Sequence, residues 1–303
     1  MKRKVALIGP STYMVSLPSK WAKENGIKKG DEVEVEAKDK ELVISTEKKL
    51  PEVKRLDLEE KEVGHFHKYL LAYLYHKGYD EIRISLRGRN ASLTIQERMD
   101  QLIGYEVVSE TDKSITIKSV SEPNQKEFDS ILRRIFLIQL EMSENTYQAF
   151  AKADYNSLGK ISLMESTNNR LTDYCKRMIN KFGYKERENM TFIYVIIRDL
   201  ERLADMYKNL CFAFFREDSY KLPKQLLDML KETNDFFRFF YELYYNFNPE
   251  KVSEFFERKD KIRKAANLAM LKSKGKETIF LHILAEIQNT IFELYGPYYT
   301  MKI

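Results

Sequence analysis

The stretch from Lys4 to Ile44 constrains the fold most, because it alternates in short segments and holds too few of them to close a core. Strand-like segments, a turn and one helical segment follow each other within it: Val5–Leu7, the turn Gly9–Thr12, Met14–Leu17, the helix Pro18–Lys23, Val33–Ala37 and Leu42–Ile44. We count this stretch as a β-α-β-β unit of about forty residues, which needs a second chain to complete its core.

Charge is divided between the two halves of this region. Residues 1–30 carry seven lysines or arginines against one acid, whereas residues 31–50 carry four basic and seven acidic side chains. Segregated positive charge is what binding to a phosphate backbone needs. Taken alone, such lysines are also typical of a solvated edge that keeps a small domain in solution.

Three linked features point to a known domain: Gly9–Thr12 before the segment Val15–Pro18, a short helix closed by Gly26-Ile27, and Lys29–Asp31 followed by Val33. With these features, residues 1–46 resemble the AbrB/MazE/SpoVT DNA-binding domain. The resemblance implies that two chains interleave their hairpins into one small barrel, and that the basic face of this dimer binds DNA. Together with the division of charge, it favours DNA binding over a merely solvated surface.

The candidate DNA-binding residues are basic or carry hydroxyl groups. Basic side chains would contact the phosphate backbone, and hydroxyls ahead of the second strand would contact phosphates or base edges. The basic candidates are Arg3, Lys4, Lys20, Lys23, Lys28 and Lys29, and the hydroxyl candidates are Ser11, Thr12 and Tyr13.

At 303 residues the chain is long enough for two or three domains, and a net charge of +5 means that any nucleic-acid site is local. Cys175 and Cys211 lie in helical patterns without CxxC spacing, which is typical of a reducing cytosol and argues against zinc. No apolar run approaches the length of a membrane span. The first four residues of the sequence are followed directly by a strand-like segment instead of an apolar signal region. We expect a cytoplasmic protein without membrane insertion.

Residues 52–120 predict a second, small α/β domain. Its expected elements are a helix over 62–75, a strand over 80–86, a helix over 92–102 and a hairpin over 107–117. No catalytic constellation appears there, and we expect this domain to provide spacing or a dimer contact.

Residues 126–303 are almost entirely helical in pattern. Helices are expected over 127–152, 156–182, 190–216, 222–246, 250–272 and 277–295. The tail Tyr295–Tyr299 is interpreted either as part of an interface or, more conservatively, as a frayed end.

Two segments of this region carry a second resemblance: Asn169-Arg170-Leu171 and the run from Arg198 to Asp205. They resemble the PhoU phosphate-transport regulator fold, a pair of three-helix repeats. Both domains together resemble archaeal phosphate uptake regulators. The predicted fold class is therefore α+β multidomain and mostly α: a swapped-hairpin barrel, a central α/β unit and a PhoU-like bundle.

The PhoU resemblance implies metal binding by acid pairs four residues apart. Glu201 and Asp205 have this spacing, which places both carboxylates on one helix face, and such oxygen ligands suit iron, magnesium or calcium. The other three sites lack the second acid: Glu165 is followed at this spacing by Asn169, Asp260 by Lys264 and Glu286 by Thr290, so one pair of four is intact. Alternatively, Glu201 and Asp205 pair on a solvated face with neighbouring cations, namely Arg198, Arg202 or Lys208.

Two functions stay open. The first is a homodimeric transcription regulator in which the bundle senses or relays phosphate-transport status and changes the spacing of the paired DNA-binding domains. The second is a signalling adaptor that binds a phosphate-transporter ATPase or a sensor protein, with the barrel serving only dimerisation. An enzyme is not expected, because the sequence has neither a nucleophile motif nor a phosphate-binding glycine loop. Sequence-dependent affinity for DNA separates the first two.

Overall fold

The computed structural model describes residues 2–38, 41–46, 53–62, 69–86, 95–121, 123–217 and 220–303. The chain divides into two compact units, Met1–Val53 and Lys54–Ile303. Strands occupy the first unit and the beginning of the second, and the remainder of the second is helical. In the described ranges, no helix is both long and apolar enough to cross a lipid bilayer.

The first unit consists of two antiparallel hairpins and one short helix. β1 (Val5–Ile8) pairs with β2 (Thr12–Val15), then α1 (Ser19–Glu24) leads to β3 (Glu34–Lys38) and β4 (Glu41–Ser45), which pair with each other. The order is β-β-α-β-β, so the predicted count of β-α-β-β missed one strand. The first turn is also shorter than expected: Gly9 adopts a φ of +70°, and Thr12 already belongs to the strand.

A four-stranded sheet in the order β5–β6–β8–β7 opens the second unit. Its strands are β5 (Arg55–Glu59), β6 (Glu81–Ser85), β7 (Tyr105–Thr111) and β8 (Ser114–Ser119). β5 runs parallel to β6, and the other neighbours are antiparallel. The sequence predicts β6 and the β7–β8 hairpin, but not β5, in which only Leu56 and Leu58 alternate with charged residues.

One face of this sheet is covered by helix. α2 (Tyr69–His76) shares a core with buried isoleucines of β6 and β8, and residues 95–99 are also helical. Residues 63–68 and 92–94 of the two predicted helices lie outside the described residues.

Six long helices and two short ones make up most of the rest of the second unit as far as it is described. They are α3 (Phe128–Lys152), α4 (Ser157–Ser162), α5 (Met164–Phe182), α6 (Met190–Phe214), α7 (Lys224–Tyr245), α8 (Glu250–Met270), α9 (Lys276–Glu293) and α10 (Tyr295–Thr300). The single helix predicted over 156–182 is therefore two helices. They separate at Leu163, where the amides of Leu163 and Ser166 bond to carbonyls three residues earlier.

Helix α6 lies at the centre of the helical part and contacts α3, α4, α5 and α9. Leu200, Leu203 and Tyr207 on α6 are fully buried. Helix α4 runs close to the end of α6, where a Cβ on Gly159 would come within 2.6 Å of the Phe215 ring. Only glycine fits that approach without a shift of the ring.

The C-terminal tail is a folded part of this core. Tyr295 and Tyr298 of α10 are buried, and the Tyr298 hydroxyl donates a hydrogen bond to the Leu243 carbonyl. The expectation of a frayed end is wrong, because the two rings pack against aromatic side chains of α7 and α8.

A buried ionic cluster joins the sheet to helix α5. The Arg177 guanidinium donates to the Tyr79 carbonyl at 2.7 Å and to the Asp80 carboxylate at 2.8 Å, and it lies 5.0 Å from the Tyr105 ring centre. Lys181 pairs with the same carboxylate. The sheet and the helices thus form one compact unit. The boundary predicted between a central domain and a helical domain stays a prediction.

Candidate functional site

The β3–β4 hairpin has one apolar face. Its register pairs Val35 with Ile44 and Ala37 with Leu42, so these four side chains lie on the same side, opposite Glu34 and Glu41. Val35 is 58% exposed and Leu42 is 64% exposed. An amphipathic two-stranded hairpin of this kind is stable only when its apolar face is covered.

The β1–β2 hairpin is equally uncovered. Val5 faces Val15 and Leu7 faces Tyr13 across the pair, and none of these side chains is less than 41% exposed. No described residue of the first unit is buried. A single copy of the unit therefore lacks a core, as its size predicts.

The two ends of the β1–β2 hairpin carry different candidate DNA contacts. Ser11 lies in the turn, Thr12 and Tyr13 begin β2 directly after it, and the Tyr13 side chain is 76% exposed. Arg3 and Lys4 precede β1 at the other end, about 13 Å away along a strand of four residues. The structure thus places the hydroxyl candidates together and separates them from these two cations.

The remaining cations lie on and after α1. Lys20 and Lys23 are exposed on the helix, and Lys20 lies 3.9 Å from Glu24 as a solvent-exposed pair. Lys28 and Lys29 are exposed in the loop that follows, where the Lys28 amide donates to the Asp31 carboxylate at 2.7 Å. All nine candidate residues are exposed in a single copy of the unit.

The three predicted metal ligands meet in the second unit. Glu165, Glu201 and Asp205 line a cavity of about 890 Å³ between α2, residues 97–101, α5 and α6. Sequence spacing indicates only the pair on α6, whereas the crossing of α5 and α6 brings Glu165 to the same cavity.

Two lysine side chains form ion pairs with these three carboxylates. Lys208 Nζ lies 2.7 Å from Glu165 Oε1 and 2.6 Å from Asp205 Oδ1, and Lys176 pairs with Glu201. Divalent metal ions need these carboxylate oxygens as ligands. As they stand in this structure, the three acids do not fit a resident metal ion. The sequence offered Arg198, Arg202 or Lys208 as ion-pair partners for the acids of α6, and the structure places Lys208 beside Asp205.

A further cluster in the cavity was not predicted. His76 Nε2 donates to Asp173 Oδ1 at 2.7 Å, Arg98 donates to the other oxygen at 3.2 Å, and Lys176 lies 3.6 Å from the carboxylate. These side chains come from three separate segments of the chain. Asp173 and Lys176 are three residues apart on α5, a spacing that places both side chains on one face of that helix.

Asp173 makes the cavity wall sensitive to acid. Burial acts to raise the pKa of Asp173, but the hydrogen bond and charge of His76 and the charges of Lys176 and Arg98 lower the pKa below its ordinary value. We expect this carboxylate to stabilise the fold above about pH 4 and to lose that contribution as the pH falls through its lower folded-state pKa. Urea unfolding from pH 6 to pH 2 should show a flatter acid limb for Asp173→Asn than for the wild type. An identical pH dependence in both proteins would contradict this account.

Comparison with known proteins identifies the first unit. Residues 7–52 match the family model described as "Antidote-toxin recognition MazE, bacterial antitoxin". No curated protein and no solved structure matches the chain. The match supports the predicted AbrB/MazE-type domain at the N terminus and is consistent with regulation through DNA binding. The chain thus joins a MazE-type unit to a second, mostly helical unit.

Proposed function

We propose that the chain is a homodimeric transcription regulator whose first units, from two copies, bind DNA together. One observation carries the proposal: the first unit has two hairpins with uncovered apolar faces and no buried residue among those described. A second copy supplies identical faces, so an interleaved dimer buries both sets. The MazE-type match gives such a dimer its context.

DNA is the partner that suits the rest of this surface. The basic candidates from Arg3 to Lys29 are exposed, and pairing two chains doubles their number on one particle. Each phosphate contact adds affinity through counterion release. The hydroxyls at the β1–β2 turn can contact phosphates or base edges, and contacts to base edges are the ones that specify a sequence.

We infer a signalling role for the helical part. Its support is the resemblance of Asn169–Leu171 and Arg198–Asp205 to the PhoU fold, which implies regulation of phosphate uptake. In this proposal, a signal at the helices changes the equilibrium between two spacings of the paired DNA-binding units, and only one spacing fits the operator. A transporter ATPase or a sensor protein would deliver the signal by contact.

Selection from a pool of random duplexes tests the proposal. The full chain is incubated with the pool, bound duplexes are recovered, and the cycle is repeated until one sequence family dominates. We expect enrichment of a two-fold symmetric sequence, because a symmetric dimer presents the same surface to two half-sites. If the pool stays random while the chain is a folded dimer, the adaptor function replaces the regulator.

A further inference from the structure

Lys208 lies between two carboxylates that come from different helices. Its ammonium contacts Glu165 at the start of α5 and Asp205 one turn earlier on α6, at 2.7 Å and 2.6 Å. The Lys208 side chain is 25% exposed and that of Glu165 is 14% exposed. The ammonium therefore links the two helices at the wall of the cavity.

Asn169 contacts one of these two carboxylates. Its amide nitrogen donates a hydrogen bond to Glu165 Oε1, the same oxygen that Lys208 contacts. Carboxylate oxygens are the ligands that hard divalent cations take, with water completing the coordination.

Lys208 brings a positive charge to these carboxylates. Its ammonium lies within 2.7 Å of one oxygen of each. A metal ion approaching the same two carboxylates would meet electrostatic repulsion.

We propose that Lys208 is a built-in cation, which fills a site formed by Glu165 and Asp205 and excludes divalent metal ions from it. Removal of the ammonium then turns the same oxygens into a site for a hard divalent cation such as Mn²⁺. The helical part of the native protein holds these acids without metal, and its signal does not enter as a metal ion at this place.

Binding of Mn²⁺ to the full chain tests the proposal. Free Mn²⁺ is measured by electron paramagnetic resonance during titration of the wild type, Lys208→Met and Lys208→Arg. We expect Lys208→Met to bind one Mn²⁺ at least about tenfold more tightly than the wild type, because the repelling charge is gone. Lys208→Arg keeps the charge and should bind Mn²⁺ no better than the wild type.

The double variant Lys208→Met with Asp205→Asn is the control for weak binding elsewhere on the protein. It should lose the affinity that Lys208→Met gains, since one of the carboxylates has lost its charge. Stoichiometric Mn²⁺ on the wild type that Asp205→Asn removes would overturn the proposal, and so would a folded Lys208→Met that binds no Mn²⁺.

Folding of the variants supplies a second readout. Lys208→Met leaves two acids facing each other, so the variant should be less stable than the wild type, and Mn²⁺ should raise its melting temperature selectively. If the variant is unfolded without added cation, Mn²⁺ should restore its helical circular dichroism. Failure of Mn²⁺ to stabilise or restore the variant contradicts the proposal.

Discussion

Replacing Asp80 by alanine is expected to lower the free energy of unfolding of the second unit by about 3–5 kcal/mol, the usual loss when a buried ion pair is broken from one side. The Asp80 carboxylate forms ion pairs with Arg177 and Lys181, whose side chains are 1% and 8% exposed. Its second oxygen also accepts the Lys54 amide. Without the carboxylate, two cations stay buried without their common partner. Denaturation in urea, followed by circular dichroism, measures the loss.

Glu81→Ala is the matched control, one residue along the same chain. Glu81 pairs with Arg55 and Lys118, whose side chains are 71% and 45% exposed, so its ion pairs are largely solvated. Exposed pairs contribute about 0–1 kcal/mol, and the control should change stability by no more than that. Equal losses in Asp80→Ala and Glu81→Ala would show that the buried cluster does not hold the sheet to α5.

Leu42→Asp is expected to raise the dissociation constant of the dimer by at least about 100-fold, which corresponds to about 2.7 kcal/mol. Leu42 lies on the apolar face of the β3–β4 hairpin and is 64% exposed in one copy. If a second copy covers this face, the substitution buries an unpaired carboxylate in each chain, and that cost exceeds several kcal/mol before relaxation. Sedimentation equilibrium of the full chain measures the change, and DNA affinity should fall with it.

Val43→Asp places the same charge one residue further along β4. Because side chains alternate along a strand, Val43 lies on the opposite face of the hairpin, with Glu34 and Glu41. It should leave the dimer essentially intact. A Leu42→Asp chain that remains dimeric and binds DNA as tightly as the wild type would rule out this face as the interface.

Local patterns were sufficient for most elements of the fold. Alternation predicted the hairpins of the first unit, and helical periodicity predicted α3 and α6 through α9 within a few residues. The sequence did not predict β5, because its two leucines are too few to indicate a strand. The strand forms through its parallel pairing with β6. The break between α4 and α5 at Leu163 was also not predicted. Backbone amides there bond to carbonyls three residues earlier instead of four, and the spacing of apolar residues does not reveal this change.

In the candidate sites too, the sequence predicts contacts within one element but not contacts between elements. The contact between Asp205 and Lys208 is visible in sequence, because three residues on a helix bring side chains together. The contacts of Glu165 with Lys208 and of Glu201 with Lys176 join different helices, and no spacing predicts them. Likewise, Arg3 and Lys4 are visible in the sequence, but their separation from the hydroxyls at the β1–β2 turn depends on the strand register.

DNA affinity as a function of salt concentration tests the central claim most directly, with the full chain on the selected duplex and on a scrambled duplex of the same length. The wild type should bind with a steep salt dependence, and Lys23→Ala should weaken binding to all duplexes alike. The substitution should flatten the logarithmic slope by about one unit for each lysine removed, hence by about two in a homodimer. Ser11→Ala should leave the slope unchanged and alter only the preference between sequences. A wild-type chain without salt-dependent affinity for DNA would contradict the account.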